Sequence, residues 1–265
     1  MKRLSPARLA LVLGVLSAAV GVITLVALAT GPSDVGWSQV AGIFLSDGSD
    51  VDAATRDIVL RVRGPRVVLG LLVGAALATA GAVFQALLRN PLADPYVLGV
   101  SGGAALAGIS VLALGTTFAL PTSSVPMAAF AGGVLATGLL YWVSGGRARS
   151  SPTGLLLTGV VFNAFASAGI VFLASVAGFF EGSRIFLWLI GHLSAVEIDA
   201  AGVVATSVVL GLATAFLLSR SLNLLALGDE SALHLGVPVE SHRRWLLLAT
   251  SLMVGSAVAV SGLSV

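Results

Sequence analysis

The stretch of residues 95–146 carries no charged side chain, and this limits what the chain can fold into. A helix needs about 20 apolar residues to cross the hydrocarbon core of a bilayer, so the stretch is too long for one crossing. The proline-bounded segment 121–126 divides it into two predicted spans. Hydrophobic residues make up 57% of the chain and charged residues only 10%, against about 25% charged in soluble domains. The sequence therefore predicts an all-α, polytopic bundle of membrane-spanning helices.

Seven such spans are predicted within a single domain, residues 1–265. They lie at about residues 9–30, 67–88, 96–115, 127–143, 154–176, 200–219 and 245–265. The first has the basic start of a signal peptide, but its apolar run is longer than a signal peptide requires, so we expect an uncleaved helix. The apolar run 185–190 is too short to cross and predicts an interfacial or re-entrant helix.

The placement of basic residues predicts the orientation, because cytoplasmic loops carry an excess of Lys and Arg. With the N-terminus inside, nine of the 14 Lys and Arg residues lie on the inner side. We therefore expect a multi-pass protein of the cell membrane with a cytoplasmic N-terminus. Residues 31–66 then form an outer loop, and residues 220–243 form a cytoplasmic loop.

Several kinds of chemistry are excluded by residues that the sequence lacks. The only lysine is Lys2, so the chain holds no Gly-Lys-Ser/Thr phosphate-binding loop, and any ATP hydrolysis belongs to another polypeptide. No predicted span contains an ionisable residue, which argues against a proton- or sodium-coupled carrier. We expect no metal site, because cysteine is absent and no second His lies at ligand spacing from His192. No basic cluster indicates nucleic-acid binding. The chain itself is thus predicted not to be an enzyme. We expect it to form a transport pathway that another polypeptide powers, and a secondary transporter or channel remains the alternative.

Residues 220–238 form a polar element between the last two spans. Gly228 is predicted to end a first short helix in a left-handed cap. Asp229 is predicted to begin a second as its N-cap, with Gly236 and Pro238 closing it. Neither helix is long enough to cross a bilayer. The residues leave two interpretations open, a docking site for a partner and an ordinary solvated loop.

A second turn is predicted between the second and third spans. Asn90 suits a helix C-terminal cap, and Pro91 prevents the helix from continuing. Asp94 is predicted to cap the next helix, with Pro95 at its first position. Within the third and fifth spans, small or polar residues indicate close contacts to another helix or to a solute path: Gly99, Gly102, Gly103 and Asn163. For Asn163 we favour a helix–helix hydrogen bond over pore lining.

Six runs of residues together resemble the FecCD family, the membrane permeases of binding-protein-dependent ABC importers for iron–siderophores, haem and cobalamin. They are residues 63–66, 72–77, 80–85, 90–95, 98–104 and 222–237. The resemblance covers nearly all of the chain from about residue 60 onward. It implies a ten-span permease that forms a homodimer, binds two ATPase subunits that hold ATP and Mg²⁺, and receives its cargo from a solute-binding protein. The chain itself is expected to hold no cofactor.

The resemblance also implies roles for individual residues. Arg63 and Arg66 match outer arginines that pair with the binding protein, although the usual Arg-Leu-Pro-Arg reads Arg-Gly-Pro-Arg here; anchoring to lipid headgroups is the alternative. The turn around Asn90, Pro91, Asp94 and Pro95 and the glycines that follow it are a motif next to the pathway. The family continues past the equivalent of Gly262, so we expect a C-terminally truncated permease that supports no uptake by itself. The ATPase-coupling residues are Leu225, Leu227, Gly228, Asp229, Glu230, Ala232, Leu235 and Gly236.

Overall fold

The structure is a computed structural model that describes residues 5–33, 35–45, 51–96, 98–144, 152–177, 179–193 and 198–263. These residues form an all-α fold, which confirms the predicted class, and no strand occurs among them. Parts of the predicted outer loop, residues 34 and 46–50, lie outside the described residues. The helices are α1 (Pro6–Ala29), α2 (Trp37–Leu45), α3 (Ala53–Asp57), α4 (Gly64–Leu88), α5 (Val100–Phe118), α6 (Val125–Val143), α7 (Pro152–Val176), α8 (Phe179–Ile190), α9 (Ile198–Leu217), α10 (Ser219–Leu225), α11 (Asp229–His234) and α12 (Val239–Ser261).

The chain divides into two compact units, residues 1–70 and residues 71–265. In the first unit, α1 begins where Ser5 accepts a hydrogen bond from the Arg8 amide and Pro6 occupies the first turn. Proline suits that position because the first amides of a helix have no partner within it. A small apolar cluster closes the unit: Leu28, Ala29, Val35, Val40 and Val59.

Helix formation begins earlier than predicted in the outer segment 31–66. A π-helix, Ile58–Arg63, joins α3 directly to α4, so one helical run extends from Ala53 to Leu88. An i,i+4 ion pair between Arg61 and Asp57, 3.2 Å apart, supports the run. The wider π turns end just before Pro65, whose ring and missing amide would otherwise break a regular helix. The predicted polar loop is therefore helical over its last third.

Five helices are long and apolar enough to cross a membrane, and six if the bent pair α9–α10 counts as one, within the described residues. The apolar part of α5, Val100–Gly115, is shorter than the other spans, because the turn after α4 occupies the residues at which the third span was predicted to begin. The chain is a multi-pass membrane protein.

In the second unit, α12 is the most buried of the spanning helices, with two thirds of its most apolar window inside the unit. It packs against α5, α6 and α9. The predicted interfacial segment forms α8, which is too short to cross, and its Ile185 and Trp188 are buried in the core of this unit. The end of α8 meets the end of α12, where the His192 amide donates to the Ser261 carbonyl at 2.7 Å.

Candidate functional site

The polar element predicted between the last two spans consists of α10 and α11. The chain bends by 63° between α9 and α10, so α10 turns away from the direction of the span before it. Both α10 and α11 are far shorter than a crossing requires. They form a compact hairpin at one end of the second unit.

The hairpin's elbow is built on Gly228. Its φ of 128° and ψ of 151° are accessible mainly to glycine, but they are not the left-handed cap that was predicted. Gly228 itself precedes the first turn of α11, so the prediction of Asp229 as N-cap was wrong. The Asp229 carboxylate instead accepts hydrogen bonds from the Arg243 guanidinium and makes no capping contact. Gly236, with φ of 80°, ends α11 as predicted, and the Val237 amide donates to the Ala232 carbonyl at 2.9 Å.

The residues predicted for coupling separate into two groups by exposure. Leu225, Gly228 and Ala232 are buried, where they hold the hairpin against the rest of the unit. Four others face outward: Leu227, Glu230, Leu235 and Gly236. Leu233, which the sequence analysis did not select, is exposed as well. We call the three exposed leucines of this element the leucine patch (Leu227, Leu233 and Leu235).

An ionic cluster ties the hairpin to the rest of the unit. The Arg243 guanidinium is 2% exposed, and its Nη2 lies 2.8 Å from both carboxylate oxygens of Asp229. Arg89 Nη2 lies 3.8 Å from Asp229, and Arg243 Nη1 lies 3.9 Å from Glu240. The Tyr141 hydroxyl donates to Glu240 at 3.3 Å. We call these five residues the Arg243 cluster; they come from α6, α11, α12 and the residue after α4.

The sequence did not predict this cluster. Arg89 and Arg243 entered only as basic residues of the inner side, and Tyr141 and Glu240 had no predicted role. The available signal was the position of Arg243, two residues before a long uncharged run that begins at Trp245. An arginine at such a position requires a partner if its guanidinium is buried.

The predicted turn after α4 forms, with different residues at its key positions. The positive-φ residue that follows α4 is Arg89, at 51°, and not the predicted Asn90. The Asn90 side chain instead accepts a hydrogen bond from the Leu92 amide at 2.9 Å. Asp94 accepts from the Tyr96 amide at 2.7 Å, so it shapes a local turn and does not cap α5, which begins only after Gly99.

Tyr96 and Asn163 connect this turn to α7. The Asn163 side-chain amide donates to the Tyr96 carbonyl at 2.8 Å, so this hydrogen bond joins α7 to the turn before α5, whereas a helix–helix bond was predicted. Burial, helped by the negative charge of Asp94, raises the pKa of the Tyr96 phenol above its ordinary value. On the side of the turn facing α4, the Pro95 ring lies close to Gly81.

The glycines at the start of α5 mark close helix contacts. A Cβ added at Gly99, whose φ is 77°, would lie 2.8 Å from the Leu140 side chain of α6. One added at Gly102 would overlap the Asn163 side chain of α7, and one added at Gly103 would lie 2.7 Å from the Gly132 carbonyl of α6. Small residues allow such approach between helices in a membrane. A role next to the solute pathway stays a prediction.

The two predicted docking arginines lie in different surroundings. Arg63 is buried in the first unit, where its guanidinium donates to the Leu28 carbonyl, the Ser33 carbonyl and the Ser33 hydroxyl, each at 2.8 Å. Leu28 is in the last turn of α1, so Arg63 satisfies a carbonyl that has no partner within that helix. A Cβ at Gly31 would lie 2.8 Å from the same guanidinium. Arg66 is exposed.

Comparison with known proteins places these features in one family. The sequence profile of the FecCD transport family matches residues 15–263. An uncharacterized ABC transporter permease protein, YvrB of Bacillus subtilis, is 40% identical over 85% of this chain and 64% of its own length. The hemin transport system permease protein HmuU of Yersinia pestis is 36% identical over 91% of the chain and 72% of its own length.

A vitamin B12 import system permease protein, BtuC of Salmonella newport, is 35% identical over 83% of the chain and 66% of its own length. This chain therefore spans about two thirds of the length of these curated relatives. A solved structure described as an inward-facing conformation of a putative metal-chelate type ABC transporter superposes with a TM-score of 0.79 at 25% identity, covering 95% of this chain and 76% of that one. The chain belongs to the FecCD transport family.

Proposed function

We propose that this chain forms the membrane-spanning permease part of a binding-protein-dependent ABC importer, and that a separate ATPase subunit drives transport. The proposed cargo is a ferric siderophore, with haem and cobalamin as the alternatives, moved toward the cytoplasm. Family membership supports the transport role. The printed names of relatives, which concern hemin, vitamin B12 and iron chelatin transport, support the class of cargo.

The leucine patch is the observation that carries the coupling part of this proposal. Leu227, Leu233 and Leu235 are 71%, 58% and 62% exposed. Leu233 lies in α11, and the other two lie directly beside the short helices α10 and α11, neither of which is long enough to cross a bilayer. Several large exposed apolar side chains on one element outside the spans indicate a site of protein contact. Glu230, which is also exposed, adds a charge to the same element.

The remaining partners follow from the same proposal. Two ATPase subunits, which would bind ATP and Mg²⁺, contact the hairpins of two permease copies on the cytoplasmic side. A solute-binding protein docks on the opposite side, where the exposed Arg66 is suited to pair with carboxylates. Arg63, whose guanidinium already donates three hydrogen bonds within its unit, would support that surface from beneath.

Charge placed in the leucine patch tests the proposal directly. We expect Leu227→Glu with Leu235→Glu to weaken co-purification with the partner ATPase on the order of tenfold or more, because desolvating a carboxylate in an interface centre is costly. Leu92→Glu is the matched control, since Leu92 is 85% exposed in the turn after α4. Equal ATPase recovery with the patch variant and the control would show that the hairpin is not the docking site.

A further inference from the structure

We infer that the Arg243 cluster positions the α10–α11 hairpin, so that displacement of the leucine patch is passed to α12 and α4 and is not absorbed by the elbow. This inference concerns positioning residues. It rests on the proposed function only for the identity of the protein that displaces the patch.

The first step is the burial of Arg243. Its guanidinium is almost fully removed from solvent, whereas Asp229, its nearest anionic partner, is one third exposed. A buried guanidinium without its anion is strongly unfavourable. Asp229 is therefore held where the Arg243 side chain ends, and Asp229 is the first residue of α11. The start of α11 is thereby tied to the first turns of α12.

The second step is the arrangement around this ion pair. Arg89, directly after α4, approaches both parts of the elbow: its Nη2 lies 3.8 Å from Asp229, and its Nη1 would lie 3.5 Å from a Cβ at Gly228. On the other side, Glu240 lies 3.9 Å from Arg243 and accepts from Tyr141 of α6. The hairpin is thus contacted by Arg243 of α12 and by Arg89, the residue after α4, while Tyr141 of α6 is linked to it only indirectly, through Glu240 and Arg243.

Movement of the hairpin would be passed to α12. α12 is the most buried spanning helix of its unit and packs against α5, α6 and α9. A displacement of α11 that keeps the Asp229–Arg243 pair intact has to move the start of α12 with it. The linker between α10 and α11, which spans only residues 226–228, has little length in which to take up the movement.

Because the chain has no cysteine, positioning can be measured with two spin labels. We would label Leu233→Cys in α11 and Leu248→Cys in α12, both exposed, in the detergent-solubilised full chain. When Asp229 and Arg243 are both present, the distance between the two labels should have one narrow distribution. Asp229→Asn and Arg243→Gln should each broaden it, and Arg243→Lys, which keeps the charge, should restore a narrow one.

Two comparisons make the result decisive. Arg61→Gln removes an arginine from an exposed pair with Asp57 and should leave the distribution unchanged. If Arg243→Gln does not fold, Asp229→Asn still tests the inference, because Asp229 is partly exposed. A narrow distribution in Asp229→Asn would overturn the inference whatever the ATPase does.

The same variants separate this inference from the proposed function. We expect Asp229→Asn to weaken binding of the partner ATPase on the order of tenfold, a typical size for coupling between distinct sites, while the leucine patch itself is unaltered. Failure of the unsubstituted chain to bind the ATPase would overturn the proposed function, and the spin labels would still decide whether the Arg243 cluster positions the hairpin.

Discussion

Arg63 shows how the surroundings of a single side chain determine its role. By sequence it is one of two outer arginines available to a binding protein. In the folded unit its guanidinium donates three hydrogen bonds to Leu28 and Ser33, and Gly31 leaves room for it. Arg66, three residues later, is exposed on the surface of the protein. Substitution of Arg63 therefore tests stability, whereas substitution of Arg66 tests binding of a partner.

Replacement of Arg63 should destabilise the first unit. We expect Arg63→Gln to lower the free energy of unfolding by about 2 kcal/mol, because hydrogen bonds from a charged donor to buried carbonyls are lost. Thermal denaturation in detergent, followed by circular dichroism, would show a lower midpoint. Arg61→Gln, at an exposed ion pair, is the control and should change little; equal shifts in both would contradict the role given to Arg63.

Gly103 offers a second test at the level of one residue. An added Cβ would overlap Ala136 and approach the Gly132 carbonyl, so α5 and α6 would have to separate. We expect Gly103→Ala to cost about 1–3 kcal/mol of stability, as overpacking commonly does. Gly138 lies in α6 with nothing within 4 Å of its added Cβ, so Gly138→Ala should be tolerated in the same thermal assay. Equal tolerance of both changes would mean that α5 and α6 are not closely packed.

Within the α10–α11 element, neighbouring acids have opposite roles. Asp229 accepts hydrogen bonds from Arg243, and Glu230 is exposed. The resemblance placed both at a single coupling elbow. The structure therefore separates them into a paired and an exposed acid, and contact of Glu230 with a partner stays a prediction.

Charge reversal should separate these two roles. Asp229→Lys places a cation beside Arg243 and Arg89, so we expect lower thermal stability of the purified protein and weaker ATPase binding. Glu230→Lys changes only an exposed site, so stability should stay within about 0.5 kcal/mol while ATPase binding falls. Thermal denaturation and co-purification, measured on the same samples, check both outcomes. Loss of stability in Glu230→Lys would contradict its assignment to the exposed surface.

At the scale of the whole molecule, the orientation in the membrane can be tested with single cysteines, because the native chain has none. The excess of basic residues on one side predicts that the α10–α11 hairpin is cytoplasmic and that α2 is external. Leu45→Cys, at an 86% exposed position, should react with a membrane-impermeant maleimide in intact cells. Leu235→Cys should react only after permeabilisation. The reverse pattern would overturn the predicted orientation.

The larger features of the fold could be predicted from the sequence because they depend on local hydrophobicity. Spans near α1, α6 and α7 were placed within a few residues. The two short helices of the hairpin were predicted from the glycine, proline and polar residues at their ends. Predictions failed at the ends of elements, where a different local arrangement replaced the predicted one. The π-helix carries helical structure across the region before Pro65, and Asp94 forms its own turn with the Tyr96 amide in place of a helix cap.

The sequence by itself determined that this chain spans a membrane repeatedly, lacks a phosphate-binding loop and carries a polar hairpin between its last two spans. These properties follow from composition and from patterns within about 20 residues, the length that the bilayer imposes. Only the tertiary structure decided which charges are buried. Arg63 donates to main-chain carbonyls and Arg243 to a carboxylate, whereas Arg66 and Glu230 are exposed. The difference arises because burial of a charge depends on partners, which for Arg243 and Arg63 come from 14 to 35 residues away.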